Sequence, residues 1–361
     1  MTDARLHVLR ATPQTCFWGF FDRSLPPVLT VRSGDTVQVE ALTHQAGDAP
    51  DLMMDDGVRA VYQGIPAARR GPGVHIMTGP IAVEGARAGD TLEVRILAMR
   101  PRLPYGTNIG AWWGYLYPDM KKERITIYEV DAASGYARAA FAYDYGHTPK
   151  YDAPGTIIPP ERTQRQPALA GVLVPLRPHF GVMGVAPRES GKVNSIPPGD
   201  FGGNVDNWRV GPGATMYYPV QNDGALFFVG DPHAAEGDAE LSGTAIEASH
   251  DGTLQLSVRR DMRVDSPILE TATHWYTHGF GADLDEAMRQ AALRMVAFLE
   301  KRFSLSRDDA YSFISVACDF GVTQVVDQRM GVHAAAPKAA FPPRPRGSSR
   351  AAVRAVRPSG A

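Results

Sequence analysis

The sequence is poor in cysteine and has no long apolar segment, and each shortage excludes a class of protein. Its 361 residues include two cysteines, Cys16 and Cys318, which cannot form a disulfide scaffold and make no CxxC pair for zinc or redox chemistry. No run approaches the roughly 18 apolar residues of a transmembrane helix. The N-terminus MTDARLHVLRATPQT has no apolar core of a secretory signal. We therefore expect a cytoplasmic protein without a membrane partner.

Nucleotide-binding and zincin motifs are also missing, because the chain has no GxGxxG, GxxxxGK[ST] or HExxH. Basic residues are scarce outside the C-terminus. Residues 338–361 hold one lysine and five arginines without an acid, which leaves 31 basic and 39 acidic residues in 1–337, a net charge of −8. Nucleic-acid binding requires a basic face, so we expect no nucleic-acid partner.

Glycine and proline are abundant, with 36 and 29 copies spread along the chain. Such a distribution is typical of short strands joined by tight turns. Three segments alternate apolar and polar residues on both sides of a glycine-containing turn, and we interpret each as a β-hairpin: 28–39, 80–97 and, more loosely, 208–220. Because each hairpin buries one face, the hairpins must pack sheet against sheet. The predicted fold is α+β and mostly β, a β-sandwich built from repeated hairpins.

The period changes near the C-terminus. Asp283 with Glu286 forms a capping-box-like start, and apolar residues then recur at helical spacing, which predicts an amphipathic helix over 284–303. Ser306 caps a second predicted helix that ends near Ala317, and a last strand is predicted over 321–326. The sandwich should therefore carry a C-terminal helical pair.

Four parts of the chain differ in composition. Residues 1–146 form an N-terminal β-rich part, and 147–168 is a proline-rich loop or lid with little periodicity. Residues 169–337 form a second β-rich part that contains an acidic motif and the two helices. We interpret 1–337 as one catalytic unit and the Pro/Arg-rich tail 338–361 as disordered.

The acidic motif is the segment 230–247, GDPHAAEGDAELSGTAIE. It has no lysine or arginine, and apolar strand residues flank it on both sides. A solvated acidic loop is one interpretation, but carboxylates near a core repel each other unless a cation is present. A histidine in the set favours Zn, Mn, Fe or Co over Ca²⁺. The candidates are Asp231, His233, Glu236, Asp238, Glu240 and Glu247.

Two further segments contain polar candidates. His75 directly precedes a predicted strand, where a buried structural histidine is the alternative to a metal ligand. In the loop 195–208, two prolines and a Gly-Gly pair hold Asn204 and Asp206, which can point the same way; a turn with Asx hydrogen bonds is the alternative.

The sequence resembles the acetamidase/formamidase family. The resemblance is carried by HIMTGPIAVEGARAGDTLEVRIL (75–97), GVMGVAPRESGKVNSIPPGDFGGNVDNW (181–208), GALFFVGDPHAAEGDAELSGTAIE (224–247) and, more weakly, residues 283–327. It implies a β-rich α+β fold, a bound divalent metal and hydrolysis of a small amide to acid and ammonia. It also implies a polar set around the site: His75, Asp206, Asp231, His233, Asp238, Glu240 and Glu247.

The chain departs from the family pattern in three places. The usual HAAQGDGEV reads HAAEGDAEL here, with Glu236 for glutamine and Ala239 for glycine, and an N-terminal HxxWD-like element is reduced to residues 20–22. Where relatives have a glycine-rich loop, this chain has the aromatic segment 110–117, GAWWGYLY. If these rings line the site, the substrate is bulkier than acetamide; the alternative is that they belong to the core.

The leading hypothesis is a metal-dependent amidohydrolase acting on a small linear amide of the formamide or acetamide type, or bulkier. From ligand chemistry we assign the divalent metal, zinc first and calcium as the alternative, to His75, Asp206, Asp231 and His233. Glu240 is the predicted base with Asp238 as its alternative, and the substrate-binding candidates are Asn204, Trp112, Trp113 and Glu247. We also expect a homo-oligomer, a dimer. The alternative functions are a non-catalytic β-sandwich module that holds Ca²⁺ and an inactive family member.

Overall fold

The computed structural model describes residues 4–145 and 155–342. Part of the predicted loop 147–168 and most of the predicted tail 338–361 therefore lie outside the described residues. The described chain is mostly β, which confirms the predicted fold class. Its strands are β1 (Leu6–Leu9), β2 (Cys16–Trp18), β3 (Phe20–Phe21), β4 (Leu29–Val31), β5 (Thr36–Ala41), β6 (Ile76–Val83), β7 (Thr91–Pro101), β8 (Tyr105–Gly110), β9 (Arg124–Asp131), β10 (Tyr136–Asp144), β11 (Val174–Pro175), β12 (His179–Val185), β13 (Val193–Asn194), β14 (Gly202–Asn204), β15 (Thr215–Pro219), β16 (Phe227–Ala235), β17 (Ile246–Glu247), β18 (His250–Arg259), β19 (Ile268–Glu270), β20 (His274–Gly281), β21 (Asp319–Val322) and β22 (Met330–Pro337).

These strands form two large sheets. The first has the order β1-β5-β18-β7-β15-β19-β20-β22-β21. The second has the order β11-β10-β9-β8-β17-β16-β12-β14, with β6 joined to β16, β2 and β4. A short pair, β3 and β13, stands apart. Each large sheet takes strands from both 1–146 and 169–337, so the two parts are interleaved.

The main hydrophobic core lies between the two sheets. Val94 of β7 and Leu254 of β18 come from the first sheet, and Ile81 of β6 and Phe227 of β16 come from the second; all four are fully buried in one cluster. Alternation along a strand places every second side chain on the same face, which is why both sheets present continuous apolar faces to each other. The architecture is therefore a sandwich.

The predicted hairpins are wrong as pairings, although their strands exist. Residues 29–31 form β4, which pairs with β6 in the second sheet, whereas 36–41 form β5, which pairs with β1 and β18 in the first. The turn at Gly34, with φ +95°, thus connects the two sheets. Likewise, β6 lies in the second sheet and β7 in the first, so the predicted hairpin 80–97 is not a pair. The third predicted hairpin, 208–220, contains only one strand, β15. Local alternation identifies a strand but does not select its partner.

The helices are α1 (Pro50–Met53), α2 (Asp56–Gly64), α3 (Tyr117–Met120), α4 (Leu284–Phe303) and α5 (Arg307–Ala317). The predicted C-terminal pair is confirmed. The side chains of Asp283 and Ser306 cap α4 and α5, each accepting a hydrogen bond from a backbone N–H of the first turn. Helix α4 packs on β20 and β22, and a Cβ on Gly279 would lie 2.1 Å from the Ala287 carbonyl oxygen, so glycine allows this close approach.

The chain past β22 continues to pack on the helices. Residues 338–340 form a short 3-10 turn, and the Phe341 ring stacks on Phe303 with their centroids 3.8 Å apart. The predicted disordered tail therefore begins too early, because an aromatic ring placed after Pro337 finds an apolar surface on α4. Among the described residues, no helix combines the length and apolar character needed to cross a membrane.

Candidate active site

A cavity of about 530 Å³, here called the central cavity, contains most of the sequence-predicted site residues. Its lining includes Val325, Val326 and Met330 as well as many polar side chains, and no lysine or arginine is found among the lining residues of the described chain. The sequence-predicted residues in its wall are His75, Trp112, Trp113, Asn204, Asp206, Asp231, Glu240 and Glu247. His44, Gln45 and Asp327 line it too.

Strand β16 places the two central ligand candidates. All nine of its residues are buried, and it carries Asp231 and His233 two positions apart. The neighbouring strands place two more polar residues beside them, since His179 of β12 and Glu247 of β17 both pair with His233. Sheet pairing thus brings residues that are distant in sequence to one point beneath the cavity.

His233 contacts carboxylates at both ring nitrogens. Its Nε2 lies 3.1 Å from Asp231 Oδ2 and 3.3 Å from Glu247 Oε1. Its Nδ1 lies 3.3 Å from Glu236 Oε2 and 2.9 Å from the Nε2 of His179. The ring therefore has one edge facing the cavity acids and the other facing a buried pair formed by Glu236 and His179, whose Oε2 and Nε2 are 2.7 Å apart.

Two more histidines surround Asp231. His75 Nε2 is 3.7 Å from Asp231 Oδ2, and His44 Nδ1 is 3.8 Å from Asp231 Oδ1. The other nitrogen of His75, Nδ1, lies 2.9 Å from the Ser195 hydroxyl oxygen, which fixes the ring orientation. Burial lowers the pKa of His44 to about 3 and also lowers the pKa of His75. Both rings are therefore neutral at pH 7, the state in which imidazole donates a lone pair to a metal.

The buried carboxylates have no lysine or arginine beside them among the described residues that line the cavity. Burial and neighbouring acids raise the pKa of Asp206 and of Glu240 well above their usual values. Burial raises the pKa of Glu247 and that of Asp327 to about 7. Burial also acts to raise the pKa of Asp231, but His75 and His233 outweigh it and the pKa is lowered. Close carboxylates of this kind cannot all ionise without a positive partner.

Several buried oxygens have no hydrogen-bond partner among the described residues. They include both carboxylate oxygens of Asp206 and one oxygen each of Asp231, Glu247 and Asp327. Donor atoms of Asp206, His233 and Glu240 lie within 4.8 Å of one another, as do those of Asp231, His233 and Glu247. An unpartnered buried carboxylate is costly, so a mixed nitrogen and oxygen set of this geometry fits a divalent cation.

Glycine at position 181 leaves room for such an ion. A Cβ built on Gly181 of β12 would lie 2.5 Å from Asp206 Oδ1, 2.6 Å from the His233 ring and 2.7 Å from Asp231 Oδ2. Any side chain there would occupy the space between these three donors. No sequence pattern selects this glycine, because its role depends on residues that only the fold brings close.

Asp238 lies apart from the other candidates. Its carboxylate accepts hydrogen bonds from Arg209 and from the indole N–H of Trp208, and it is not among the residues lining the cavity. Glu240, two residues later, lines the cavity with φ +46°. Ala239 between them has φ +83°, a conformation that favours glycine. Because of this positive φ, alanine is strained at a position where the family pattern has glycine.

Sequence reasoning missed His44, His179 and Asp327. His179 precedes the apolar strand FGVMGV, and Asp327 follows Val325 and Val326, so each is a single polar residue beside an apolar run. That signal is as typical of ordinary strand ends as of a site. The segment of Asp327 reaches the cavity because its neighbour Gln324 forms a bridge with Ala239.

Two rings of the aromatic segment, Trp112 and Trp113, lie on the cavity wall, and Trp113 also packs against a buried apolar cluster. Trp112 is 56% exposed and Tyr115 is 57% exposed, which excludes a core role for these two rings. Asn204 lines the central cavity as well, and its buried side-chain oxygen accepts no hydrogen bond from the described residues.

Fold and site together define a β-sandwich protein with a buried histidine–carboxylate centre beneath a cavity. The chain matches the model of the Acetamidase/Formamidase family over residues 13–191 and 189–342, and it belongs to that family. It is accordingly an amidase, a hydrolase of the C–N bonds of amides.

Individual relatives agree with this assignment. The chain is 26% identical to a formamidase of Methylophilus methylotrophus over 81% of each sequence. It is 25% identical to an acetamidase of Mycolicibacterium smegmatis over 67% of this chain and 63% of that one. The crystal structure of an acetamidase from Bacillus halodurans matches with a TM-score of 0.73 and 28% identity, covering 92% of this chain and 98% of that one.

Proposed function

We propose that this protein is a metal-dependent cytoplasmic amidase, active as a homodimer, that converts a small linear amide to carboxylic acid and ammonia. The metal is supported by the convergence of His75, Asp231 and His233 with buried, unpartnered carboxylate oxygens, in a cavity whose described lining has no lysine or arginine. The residues assigned to the ion are His75, Asp206, Asp231 and His233, and the nitrogens among them favour zinc over calcium.

A bound divalent cation would polarise the carbonyl oxygen of the amide and make water more acidic. The protein's own groups orient the reactants and move protons. Glu240 lines the same cavity, with a donor oxygen within 4.8 Å of those of Asp206 and His233. We assign it to accept a proton from the attacking water and to deliver a proton to the leaving nitrogen. Asp238 remains the alternative, but its oxygens already accept from Arg209 and Trp208.

Asn204 and Glu247 are assigned to substrate binding. Both are buried and both line the cavity, and each has one side-chain oxygen without a hydrogen-bond partner in the part of the chain that the structure describes. Such acceptors suit the N–H groups of a carboxamide, because a buried acceptor left unpaired costs free energy. Water adds to the carbonyl carbon, the C–N bond breaks, and the products are the acid and ammonia.

Ammonia release and metal content test this proposal together. Purified protein is incubated with a panel of amides from formamide to phenylacetamide, and its metal is measured by elemental analysis. We expect ammonia release and one tightly held transition metal, zinc, per subunit. Release of no ammonia together with bound calcium would support the binding module, and release of none with zinc bound would support an inactive family member.

Glu236 offers a separate prediction on metal affinity. Because its carboxylate faces His233 Nδ1, it orients the ring and raises the basicity of Nε2, which faces Asp231 and Glu247. We expect Glu236→Gln, which restores the usual family residue, to weaken zinc binding by about tenfold or more in competition with a chromophoric chelator. Glu189→Gln, at an exposed acid, is the charge-matched control. Equal zinc affinity in both variants and wild type would contradict this role.

A further inference from the structure

The central cavity is larger than formamide or acetamide requires. Its volume of about 530 Å³ falls in the range of roughly 300–1,000 Å³ found for pockets that bind drug-sized ligands. An amide with one or two carbons would leave most of this space to water. The site therefore has room for a much larger acyl group.

Much of the lining is apolar, and a small polar amide would gain little from contact with it. These residues come from four separate segments of the chain and surround the same cavity as the acids and histidines. They are Val74, Trp112, Trp113, Ile196, Val325, Val326 and Met330. Apolar walls gain from contact with an apolar ligand in proportion to the area removed from water.

The two tryptophans form a shaped aromatic wall. Their ring centroids are 5.6 Å apart with an interplanar angle of 79°, an edge-to-face pair. Both indoles line the cavity in this arrangement and can contact a planar group bound there. Trp112 is also more than half exposed, whereas Trp113 packs against a buried apolar cluster on one side and lines the cavity.

This wall is attached to the loop that carries Glu240. The backbone N–H of Tyr115 donates to the Leu241 carbonyl oxygen over 2.8 Å. A Cβ on Gly243, whose φ is +85°, would lie 2.1 Å from Cδ1 of Trp113, so the indole rests directly against this glycine. The aromatic wall therefore holds a defined position relative to the assigned base.

We infer that the substrate class of this site is a primary amide with an aryl or comparably large apolar acyl group, an inference that rests on the proposed amide hydrolysis. The carboxamide lies among the polar residues, and the acyl group lies against Trp112 and Trp113. Acetamide can react in this site but cannot use the aromatic wall. Selectivity for the larger amide then depends on the two indoles.

The test compares kcat/KM for phenylacetamide, benzamide and acetamide in wild type, Trp113→Ala and Trp112→Ala. We expect wild type to prefer an aryl amide, and each variant to lose about one to two orders of magnitude on it while acetamide is nearly unchanged. Tyr115→Ala is the matched control, since this exposed ring belongs to the same segment but does not line the cavity. The exposed position of Trp112 keeps that variant informative if Trp113→Ala misfolds.

The outcomes separate this inference from the proposed function. Preference for formamide or acetamide over every aryl amide in all variants overturns the substrate class and leaves amide hydrolysis intact. If no amide is hydrolysed, the proposed function fails, and equilibrium dialysis with phenylacetamide decides the inference alone. Binding to wild type that is lost in Trp112→Ala supports it, and no binding to wild type overturns it.

Discussion

Glu240→Gln is expected to lower kcat for amide hydrolysis by about 10²- to 10⁴-fold, the usual contribution of a positioned acid–base group. The substitution keeps the size and the oxygen acceptor of the side chain but removes the ability to carry a proton. Glu240 is buried and lines the central cavity. Steady-state ammonia release measures the loss, and elemental analysis shows whether the metal is retained.

Asp238→Asn is the matched control because Asp238 lies two residues away and binds Arg209 at the surface. We expect it to keep kcat within the range of ordinary surface variants. A large loss in Asp238→Asn with little loss in Glu240→Gln would transfer the role of base to Asp238. Loss of metal from Glu240→Gln would instead make Glu240 a ligand.

Removal of divalent cations with EDTA or dipicolinate is expected to abolish amide hydrolysis and to destabilise the fold. Without a cation, the acids around His233 are left with unpartnered oxygens and mutual repulsion. A ligand that binds only the folded state stabilises it by about 2.7 kcal/mol when its concentration is a hundred times Kd. The midpoint of thermal unfolding should therefore fall on chelation and rise again when zinc is returned.

Returning calcium in place of zinc is the control for ion identity. Restored stability with zinc but not with calcium supports the assignment based on histidine nitrogens. Restored activity and stability with calcium alone would contradict it. Full hydrolysis in protein shown by elemental analysis to be metal-free would contradict metal dependence itself.

The sequence predicts elements that depend on local interactions better than elements that depend on distant ones. Helix α4 occupies 284–303 as predicted, because its cap at Asp283 and its apolar spacing are both local. The strands at 29–31 and 36–41 were also recognisable from alternation. Their assignment to different sheets was not, because β4 pairs with β6 and β5 pairs with β18 far along the chain.

The candidate site also divides into residues that one segment reveals and residues that only tertiary contacts bring together. The dense motif around Asp231 and His233 was visible because five acids and a histidine fall within eighteen residues without a basic residue. His44, His179 and Asp327 were missed, since each stands alone in its own segment. Tertiary contacts bring His44 and Asp327 to the cavity wall, and they bring His179 to Glu236 and His233. The aromatic segment was recognised as unusual, but only the fold places Trp112 and Trp113 on the cavity wall.

The interleaving of the sheets has a consequence for biogenesis. The donors around His233 come from segments between residues 44 and 327, and they meet only after β6, β12, β16 and β17 have paired. A ribosome-bound chain that stops before residue 231 lacks two of the four proposed ligands, Asp231 and His233. We therefore expect the proposed metal to bind only late in synthesis of the chain or after it.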